Sequence, residues 1–371
     1  MTQVQAPLRS RFDTLARRWW PAIQAEMSLV AAFACEDGSV LREMTDYQLA
    51  TGGKRLRAIL PILVADALGA DPAKVTAFGA ACEMLHNASL VHDDVQDGDR
   101  MRRGQLSVWA RFGTAQAINL GDAMIAMTIL LMQRLQAPAE ARERATRRLL
   151  LEMLRVIEGQ VLDVALKAEA DITLADYLSM VEGKTSRLFA LPLSGAAMLC
   201  GADKAVEEAL VEAACHLGVL FQVQDDILDL YGPEPDAARG GDICEGKLTI
   251  LVSHSLQAAA GGSAAALKAV LEKPRGETTA QDIAWAAALF EQTGSLDFAL
   301  SELERRKTAA AAIPALEGYD DLKAVLAEAA ELFLTPLRTA MPERFAPAGP
   351  VPRALRPAVA AGLVPPLSRS A

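Results

Sequence analysis

The segment His92–Gly104, which reads HDDVQDGDRMRRG, decides what the rest of the chain must support. If its first part is helical, Asp93 and Asp97 lie one turn apart on the same face, where their charges repel and require a cation. Carboxylates suit Mg²⁺, which commonly bridges protein carboxylates to a substrate phosphate, and the guanidinium groups of Arg102 and Arg103 suit phosphate oxygens. The pattern predicts a magnesium–diphosphate site. The alternative is a solvated acidic helix end before a basic turn.

A second copy of the acidic pattern favours the metal site. The segment Phe221–Asp229 reads FQVQDDILD, and it places Asp225, Asp226 and Asp229 at the same spacing after another apolar run. If the two helices face each other, their carboxylates form one acidic cavity that can hold several divalent ions.

The composition predicts an all-α protein with a large apolar core. The chain has 371 residues, of which 51% are hydrophobic and only 5% are aromatic. Ala, Leu, Met, Glu and Arg dominate and favour helices, while β-branched runs are few. A net charge of −10 argues against a nucleic-acid partner. The five cysteines are scattered without a Cys-x-x-Cys pair, which indicates reduced thiols and a cytoplasmic location.

The hydropathy and proline patterns set the expected domain limits. The apolar uncharged run Leu188–Ala202 is shorter than the roughly 18–20 apolar residues of a spanning helix, so we expect no stable membrane insertion. Seven of the 18 prolines fall in residues 341–371, where no periodic pattern survives. We therefore predict a single all-α domain over residues 1–340 and a Pro/Ala-rich disordered tail over 341–371.

Cations that suit a phosphate occur in two segments before the second acidic motif. In TGGKRLR (Thr51–Arg57), two glycines let the backbone approach a ligand, and Lys54 and Arg57 follow at a helix start where free N–H groups favour anions. His86 lies two helical turns before Asp93 on roughly the same face. The alternatives are a solvated basic turn and a histidine that belongs to the core.

Two lysines in the second half of the chain are further candidates. Gly183 weakens the middle of a predicted helix by roughly 1 kcal/mol, and a local break there would turn Lys184 and Thr185 toward a ligand. Lys247 follows a Gly-rich loop and could close over a phosphate. An exposed lysine on a helix surface is the alternative for Lys184.

Six motifs in order resemble one family. They are GGKRLR at 52–57, HDDVQD at 92–97, MRRG at 101–104, GKT at 183–185, FQVQDDILD at 221–229 and EGKLT at 245–249. Over roughly residues 35–335 the chain resembles the trans-isoprenyl diphosphate synthases, also called the polyprenyl synthetase family. The resemblance implies an all-α, isoprenoid-synthase-type bundle of antiparallel helices around a central cavity, usually in a homodimer. The implied reaction condenses isopentenyl diphosphate with an allylic diphosphate.

The resemblance also implies roles for the motif residues. Three Mg²⁺ ions would be bound by the carboxylates of Asp93, Asp94, Asp97, Asp225, Asp226 and Asp229. The allylic diphosphate would be contacted by Arg102, Lys184, Thr185, Gln222 and Lys247. Isopentenyl diphosphate would be bound by Lys54, Arg57, His86 and Arg103. The residues expected to be catalytic are Asp93, Asp94, Asp97, Arg102, Lys184, Asp225, Asp226 and Lys247.

Product length is expected to depend on what blocks the tunnel below the first acidic motif. Members that resemble farnesyl diphosphate synthases place an aromatic residue four or five positions before the first Asp, where this chain has the small residues Ser89 and Ala88. The resemblance therefore implies a product longer than farnesyl, namely geranylgeranyl diphosphate (C20), with longer polyprenyl chains as the alternative. Met84, Met124 and Met127 are the candidate floor residues of this chain-length pocket.

Two other functions on the same fold are alternatives. A terpene cyclase needs no isopentenyl site, so the intact basic residues argue against it. A non-catalytic partner subunit typically loses the acidic motifs, and both are complete here. The chain departs from the family pattern at Cys244, a position often held by Arg, which implies one fewer phosphate contact.

Overall fold

A computed structural model of the chain describes residues 10–167, 172–233 and 239–345. Their regular structure is almost entirely helical, which confirms the predicted all-α class. The strands in these ranges are β1 (Met101–Arg102) and β2 (Gln105–Leu106), which form one antiparallel hairpin.

The helices follow one another with short connections. Those of the first half are α1 (Arg11–Ala34), α2 (Val40–Leu49), α3 (Leu56–Ala67), α4 (Thr76–Asp97), α5 (Val108–Phe112), α6 (Thr114–Gln133), α7 (Ala139–Leu166) and α8 (Leu174–Val181). Those of the second half are α9 (Arg187–Leu199), α10 (Lys204–Tyr231), α11 (Gly241–Cys244), α12 (Ile250–Ala258), α13 (Ser263–Leu271), α14 (Ala280–Gln292), α15 (Ser295–Ala311), α16 (Asp320–Ala340) and α17 (Pro342–Phe345).

Helices α4 and α10, which carry the two acidic motifs, lie at the centre of the bundle. Helix α4 packs against α1, α3 and α6, and α10 packs against α9, α15 and α16. Apolar side chains on several faces of α4 are fully buried, among them Phe78, Met84 and Val91. The helix ends at Gly98, whose φ of 72° suits glycine, and its acidic residues form the last turn. The core thus fixes where the first motif lies.

A break near Lys184 was predicted from Gly183, and the structure has a π-helical turn over Glu182–Ser186, between α8 and α9. Gly159 of α7 packs directly against this turn: a Cβ at Gly159 would lie 2.2 Å from the backbone nitrogen of Lys184. π-helical turns commonly occur at functional sites because they re-aim a side chain. This close approach holds Lys184 beside the acidic residues of α4 and α7.

The predicted start of the C-terminal tail differs from the structure. Helix α17 lies inside the range 341–371, and Met341 is buried. Arg344 explains the extension, because its guanidinium forms ion pairs with Glu291 at 2.9 Å and Asp297 at 3.0 Å. The ordered chain therefore continues at least to Phe345. Residues 346–371, the rest of the predicted tail, lie outside the described residues.

Among the described helices, α6 alone is long and apolar enough to cross a membrane by length and composition. Its most apolar window has a mean hydropathy of 1.5, and 44% of that window is buried inside the protein. Core helices of folded proteins share this composition, and α6 packs along α4.

Candidate active site

A cavity of about 1360 Å³ opens between α4, α7 and α10 and gathers most of the predicted site residues. The predicted residues that line it are Lys54, Arg57, His86, Ser89, Asp93, Asp97, Arg102, Arg103, Lys184, Thr185, Gln222, Asp225, Asp229 and Lys247. Segments up to about 190 residues apart in sequence therefore meet at one site.

The first acidic motif faces the cavity with Asp93 and Asp97, as their one-turn spacing predicted. The Asp97 carboxylate lies 3.1 Å from Lys167 Nζ and 3.4 Å from Lys247 Nζ. Burial raises the pKa of Asp97, but Lys247, Lys184 and Lys167 together bring it below its ordinary value. Burial raises the pKa of Asp93, and Lys184, whose Nζ is 3.9 Å away, offsets only part of that rise.

Asp94, the middle residue of the motif, points away from the cavity. Its side chain is buried and accepts hydrogen bonds from Arg102, which lines the cavity. Burial raises the pKa of Asp94 to about 6 although Arg102 opposes the rise. Asp94 was predicted to bind Mg²⁺, but the structure places it as the partner that orients Arg102, away from the cavity surface where Asp93 and Asp97 lie.

The second acidic motif faces the cavity from the opposite side. Asp225 is open to the cavity but surrounded by protein, and this desolvation together with Asp242 raises its pKa to about 6. Desolvation and the same neighbour raise the pKa of Asp229 to about 7. Asp242 comes from α11, and its backbone N–H donates to the Asp229 carboxylate at 3.2 Å. Three carboxylates therefore face one space, and Lys247, which lies 3.4 Å from Asp242, offsets only part of the rise in their pKa values.

Asp226, like Asp94, is turned into the protein. It accepts hydrogen bonds from Tyr177 Oη at 2.8 Å, Gln222 Nε2 at 3.0 Å and the backbone nitrogen of Ile250 at 2.9 Å. Burial and then Asp242 raise its pKa to about 8. Gln222 also accepts from Thr185 Oγ1 at 3.0 Å, so this chain of bonds orients two predicted diphosphate contacts.

The donors in the cavity fit Mg²⁺ that is shared with a diphosphate. In the described ranges, no three carboxylate, histidine or cysteine side chains converge closely enough to hold a metal ion by themselves. Mg²⁺ does not need such a cage, since it keeps several waters and is usually held by one or two carboxylates plus substrate phosphates. The raised pKa values of Asp225 and Asp229 reflect desolvation first and then the charge of Asp242, and a bound cation would favour their charged forms.

A cationic group with few carboxylates forms the other end of the cavity. Arg57 is buried, and its Nη1 lies 3.2 Å from His86 Nε2. Burial lowers the pKa of Arg57 to about 10, and burial with the nearby arginines holds the pKa of His86 well below its ordinary value. Arg57 Nε and His86 Nδ1 are buried without a partner. A buried cation with unpaired donors is suited to an anion.

Arg103 reaches this end through a glycine contact. Its guanidinium donates to the carbonyl of Gly52, and a Cβ at Gly53 would lie only 2.7 Å from its Cζ. The two glycines therefore serve a close approach, although in this structure the approaching group is Arg103. Lys54 lines the same region, with its Nζ 3.5 Å from the carbonyl of Leu332.

The structure corrects where the chain-length residues lie. Ser89 lines the cavity, but Met84, Ala88, Met124 and Met127 are buried in the core and are not among the lining residues. The apolar wall consists instead of Leu90, Ile125, Val156, Ile157, Val161, Val164 and Leu188. The methionines lie on faces of α4 and α6 that pack against other helices. Helical spacing could not distinguish these faces from the cavity face.

Several lining residues were missed by the sequence reasoning. Asp242 and Glu245 lie in the quoted Gly-rich segment, where only Lys247 was selected, so their spacing from Lys247 was an available signal. Lys247 contacts both, at 3.4 Å and 2.7 Å. Arg275 also lines the cavity, and no local pattern marks it because its partners are far away in sequence.

Comparison with known proteins identifies similar chains. The family model described as polyprenyl synthetase matches residues 38–289. A geranylgeranyl diphosphate synthase of Methanosarcina mazei is 33% identical over 72% of this chain and 82% of its own length. A (2E,6E)-farnesyl diphosphate synthase of Mycobacterium tuberculosis is 36% identical over 69% of this chain and 72% of its own.

A solved structure shares the fold over nearly its whole length. The crystal structure of polyprenyl synthase from Caulobacter crescentus, complexed with calcium and isoprenyl diphosphate, superposes with a TM-score of 0.73 and 29% identity. The match covers 89% of this chain and 99% of that one.

Proposed function

The chain belongs to the polyprenyl synthetase family, and we propose that it makes geranylgeranyl diphosphate. It is a prenyltransferase that condenses isopentenyl diphosphate with an allylic diphosphate and releases diphosphate. One observation supports assigning residues to that reaction: a single cavity has an acidic part between α4 and α10 and a separate cationic end around Arg57 and His86. The two parts suit the two diphosphates of the reaction.

The acidic part would receive the allylic diphosphate with its metal ions. Asp93, Asp97, Asp225 and Asp229 would hold Mg²⁺, three ions by analogy with the family. When bound, Mg²⁺ would withdraw negative charge from the leaving diphosphate. The chain's own cations, Lys184 and Lys247, now pair with carboxylates across the cavity and would turn to the diphosphate oxygens.

The bond changes place specific demands on the chain. The allylic carbon–oxygen bond breaks and its electron pair leaves with the diphosphate, which Arg102 and Lys184 would stabilise where the charge develops. The double bond of isopentenyl diphosphate then attacks the cation, and the released diphosphate accepts the proton that is lost. Leu90, Ile125 and Leu188 would keep water from the cation.

The cationic end would hold isopentenyl diphosphate. Arg57 and Arg103 supply planar forks of donors, and Lys54 supplies a point charge. His86 is neutral because its pKa is low, so it orients Arg57 as an acceptor or donates to the anion. Substitution of Arg57 would raise the KM for isopentenyl diphosphate more than that for the allylic substrate.

The proposed C20 product rests on the small Ser89 at the cavity wall and on the aliphatic wall below it. The purified protein is incubated with Mg²⁺, isopentenyl diphosphate and, separately, dimethylallyl, geranyl and farnesyl diphosphates. Products are dephosphorylated and read by mass spectrometry. A dominant C20 alcohol supports the proposal, C15 alone contradicts it, and a ladder to C30 indicates a longer-chain synthase. No elongation would favour a cyclase or a partner subunit.

We also propose a homodimer formed through α7. The outer face of this helix exposes a run of aliphatic side chains, namely Leu150, Leu151, Leu154, Ile157, Val161 and Val164. Contiguous apolar surface of this kind marks interaction sites. Ile157, Val161 and Val164 also line the cavity, so the same face borders its apolar end. A second copy would therefore cover this end from solvent.

Light scattering coupled to size-exclusion chromatography tests the homodimer. Leu154→Glu is expected to convert a dimer into monomers, because Leu154 is 55% exposed on this face. The matched control is Leu106→Glu, since Leu106 is 42% exposed but lies on the hairpin. A monomeric unsubstituted protein would contradict the proposal.

We also propose a cytoplasmic location for the protein. Its acidic net charge and the five free cysteines among the described residues suit that location.

A further inference from the structure

Arg275 contacts residues on both acidic sides of the cavity. It begins a three-residue 3₁₀ turn, Arg275–Glu277, between α13 and α14. Its Nη1 donates to the backbone carbonyl of Asp97 at 2.8 Å, and its Nη2 lies 3.1 Å from the Asp99 carboxylate and 3.0 Å from that of Glu245. One guanidinium thus contacts the end of the first acidic motif and the turn after the second.

The contact with Asp97 is directed at the end of α4. The last carbonyls of a helix lack intrahelical partners and carry partial negative charge, so a cation there is favourable. Asp97 is the last residue of α4, and Gly98 ends the helix with a left-handed backbone. Arg275 therefore fixes the end of the helix that presents Asp93 and Asp97 to the cavity.

The contact with Glu245 reaches the other side. Glu245 also pairs with Lys247 at 2.7 Å, and Lys247 lies 3.4 Å from Asp97. These contacts form a closed loop of charges that runs from Arg275 through Glu245 and Lys247 to Asp97. A planar guanidinium can hold both acceptors at fixed spacing, whereas an ammonium group cannot do so with the same geometry.

We propose that Arg275 is a positioning residue for the allylic diphosphate. It holds the first acidic motif and the Glu245–Lys247 turn at the spacing that a metal-bound diphosphate requires. The inference rests on the proposed assignment of these residues to the allylic substrate. It adds a determinant from the turn between α13 and α14, which none of the six sequence motifs includes. The isopentenyl end is not involved, since Arg57, His86 and Arg103 make none of these contacts.

The test measures binding without turnover. Inorganic pyrophosphate is titrated into the full-length protein with Mg²⁺ by calorimetry, for the unsubstituted protein and for Arg275→Gln. We expect about a tenfold loss of pyrophosphate affinity in Arg275→Gln, because charge-assisted hydrogen bonds that order the site are lost. Arg275→Lys should recover only part of that affinity. Circular dichroism and thermal unfolding of each variant exclude a folding defect.

Lys273→Gln is the matched control. Lys273 is a cation two residues earlier in the same connection, and it pairs with Asp282 at 2.7 Å, away from the residues that line the cavity. We expect its pyrophosphate affinity to stay within twofold of the unsubstituted protein. An equal loss in Lys273→Gln would show a general effect of surface charge and would overturn the inference.

Steady-state kinetics separates positioning from general damage. In Arg275→Gln the KM for the allylic diphosphate should rise about tenfold, as the binding does, while the KM for isopentenyl diphosphate stays within twofold. The effects of Arg275→Gln and Glu245→Gln should be non-additive in the double variant, because both break the same link. Additive effects, or a parallel rise of both KM values, would overturn the inference.

The outcomes also separate this inference from the proposed function. If the unsubstituted protein binds Mg²⁺–pyrophosphate and elongates substrates while Arg275→Gln matches it, only the role of Arg275 is wrong. If the unsubstituted protein neither binds nor elongates, both the proposed function and the inference are overturned.

Discussion

The two acidic motifs have the same spacing, but Asp97 of the first motif has a lowered pKa whereas Asp225 and Asp229 of the second have raised ones. On α4, Lys167 and Lys247 lie within 3.4 Å of Asp97, and nearby lysines bring its pKa below its ordinary value despite burial. On α10, burial and Asp242 raise the pKa of Asp225 to about 6 and that of Asp229 to about 7. Within the described ranges, cations therefore compensate the charge of Asp97 more fully than that of Asp225 or Asp229.

The difference indicates that the two acidic motifs have different roles. Asp97 has fixed lysine partners that lower its pKa, so its carboxylate contributes to stability at neutral pH before any substrate enters. Carboxylates that repel one another depend on a cation that arrives with the substrate. The first side would therefore order the site, and the second would make substrate binding depend on metal.

The largest expected effect is the loss of enzyme activity when a carboxylate of the second motif is substituted. Asp225→Asn should lower kcat by about 10²–10³-fold, because a group that supports charge stabilisation in the transition state is lost. Its free energy of unfolding without metal should not fall, since the substitution removes a repulsive charge. Steady-state prenyl transfer and urea unfolding measure the two. Asp46→Asn, which alters a surface ion pair with Arg42, is the control. Activity above a third of normal would contradict the assignment of Asp225.

The next effect is a loss of protein stability when a carboxylate of the first motif is substituted. Asp97→Asn should lower the free energy of unfolding by about 2 kcal/mol in metal-free buffer, because Lys167 and Lys247 lose a buried partner. Urea unfolding of this variant beside Asp225→Asn tests the comparison directly. Equal destabilisation of the two variants would remove the distinction between the motifs.

An effect on stability of similar size should follow from displacing Lys184. Gly159→Ala would place a methyl group 2.2 Å from the backbone nitrogen of Lys184 and push the π-helical turn away from α7. We expect a loss of about 1–3 kcal/mol in stability from overpacking, together with a lower kcat. Gly262→Ala is the matched control, because a Cβ there would meet nothing within 4 Å. Normal stability in Gly159→Ala would show that the turn can shift freely.

The smallest effect is a pH dependence of metal-free stability. In the folded protein, the pKa values of Asp225 and Asp229 lie above the ordinary value of 3.8 that these groups have in the unfolded chain. Their contribution to stability is therefore present near pH 4 and is lost as pH rises to about 7. Asp97, with a lowered pKa, acts in the opposite direction, and only below about pH 4.

Thermal unfolding in EDTA from pH 4 to 8 measures this dependence. The midpoint temperature should fall toward pH 7, and Mg²⁺ with pyrophosphate, added in place of EDTA, should recover it at high pH. A double variant, Asp225→Asn with Asp229→Asn, should make the profile less steep, and the raised pKa values of Asp94 and Asp226 account for the slope that stays. An unchanged slope in the double variant would assign the pH dependence to other groups.

The sequence predicted the site better than it predicted the directions of individual side chains. All four basic residues that were predicted to bind isopentenyl diphosphate, and two carboxylates of each acidic motif, line one cavity. However, Asp94 and Asp226 turn inward to Arg102 and Tyr177, because adjacent positions on a helix point about 100° apart and only one can face the cavity. The predicted methionine floor lies in the core for the same reason.

What the sequence determined by itself was the all-α class, the two acidic helices and the set of charges that a diphosphate reaction needs. These follow from local patterns, because composition, spacing and helix breaks depend on near neighbours. Only the tertiary structure decided which lysines neutralise Asp97, why Asp242 raises the pKa of Asp229, and that Arg275 reaches Asp97. Those relations join residues from 13 to 178 positions apart. Distances across a cavity depend on how whole helices pack, and no local pattern encodes them.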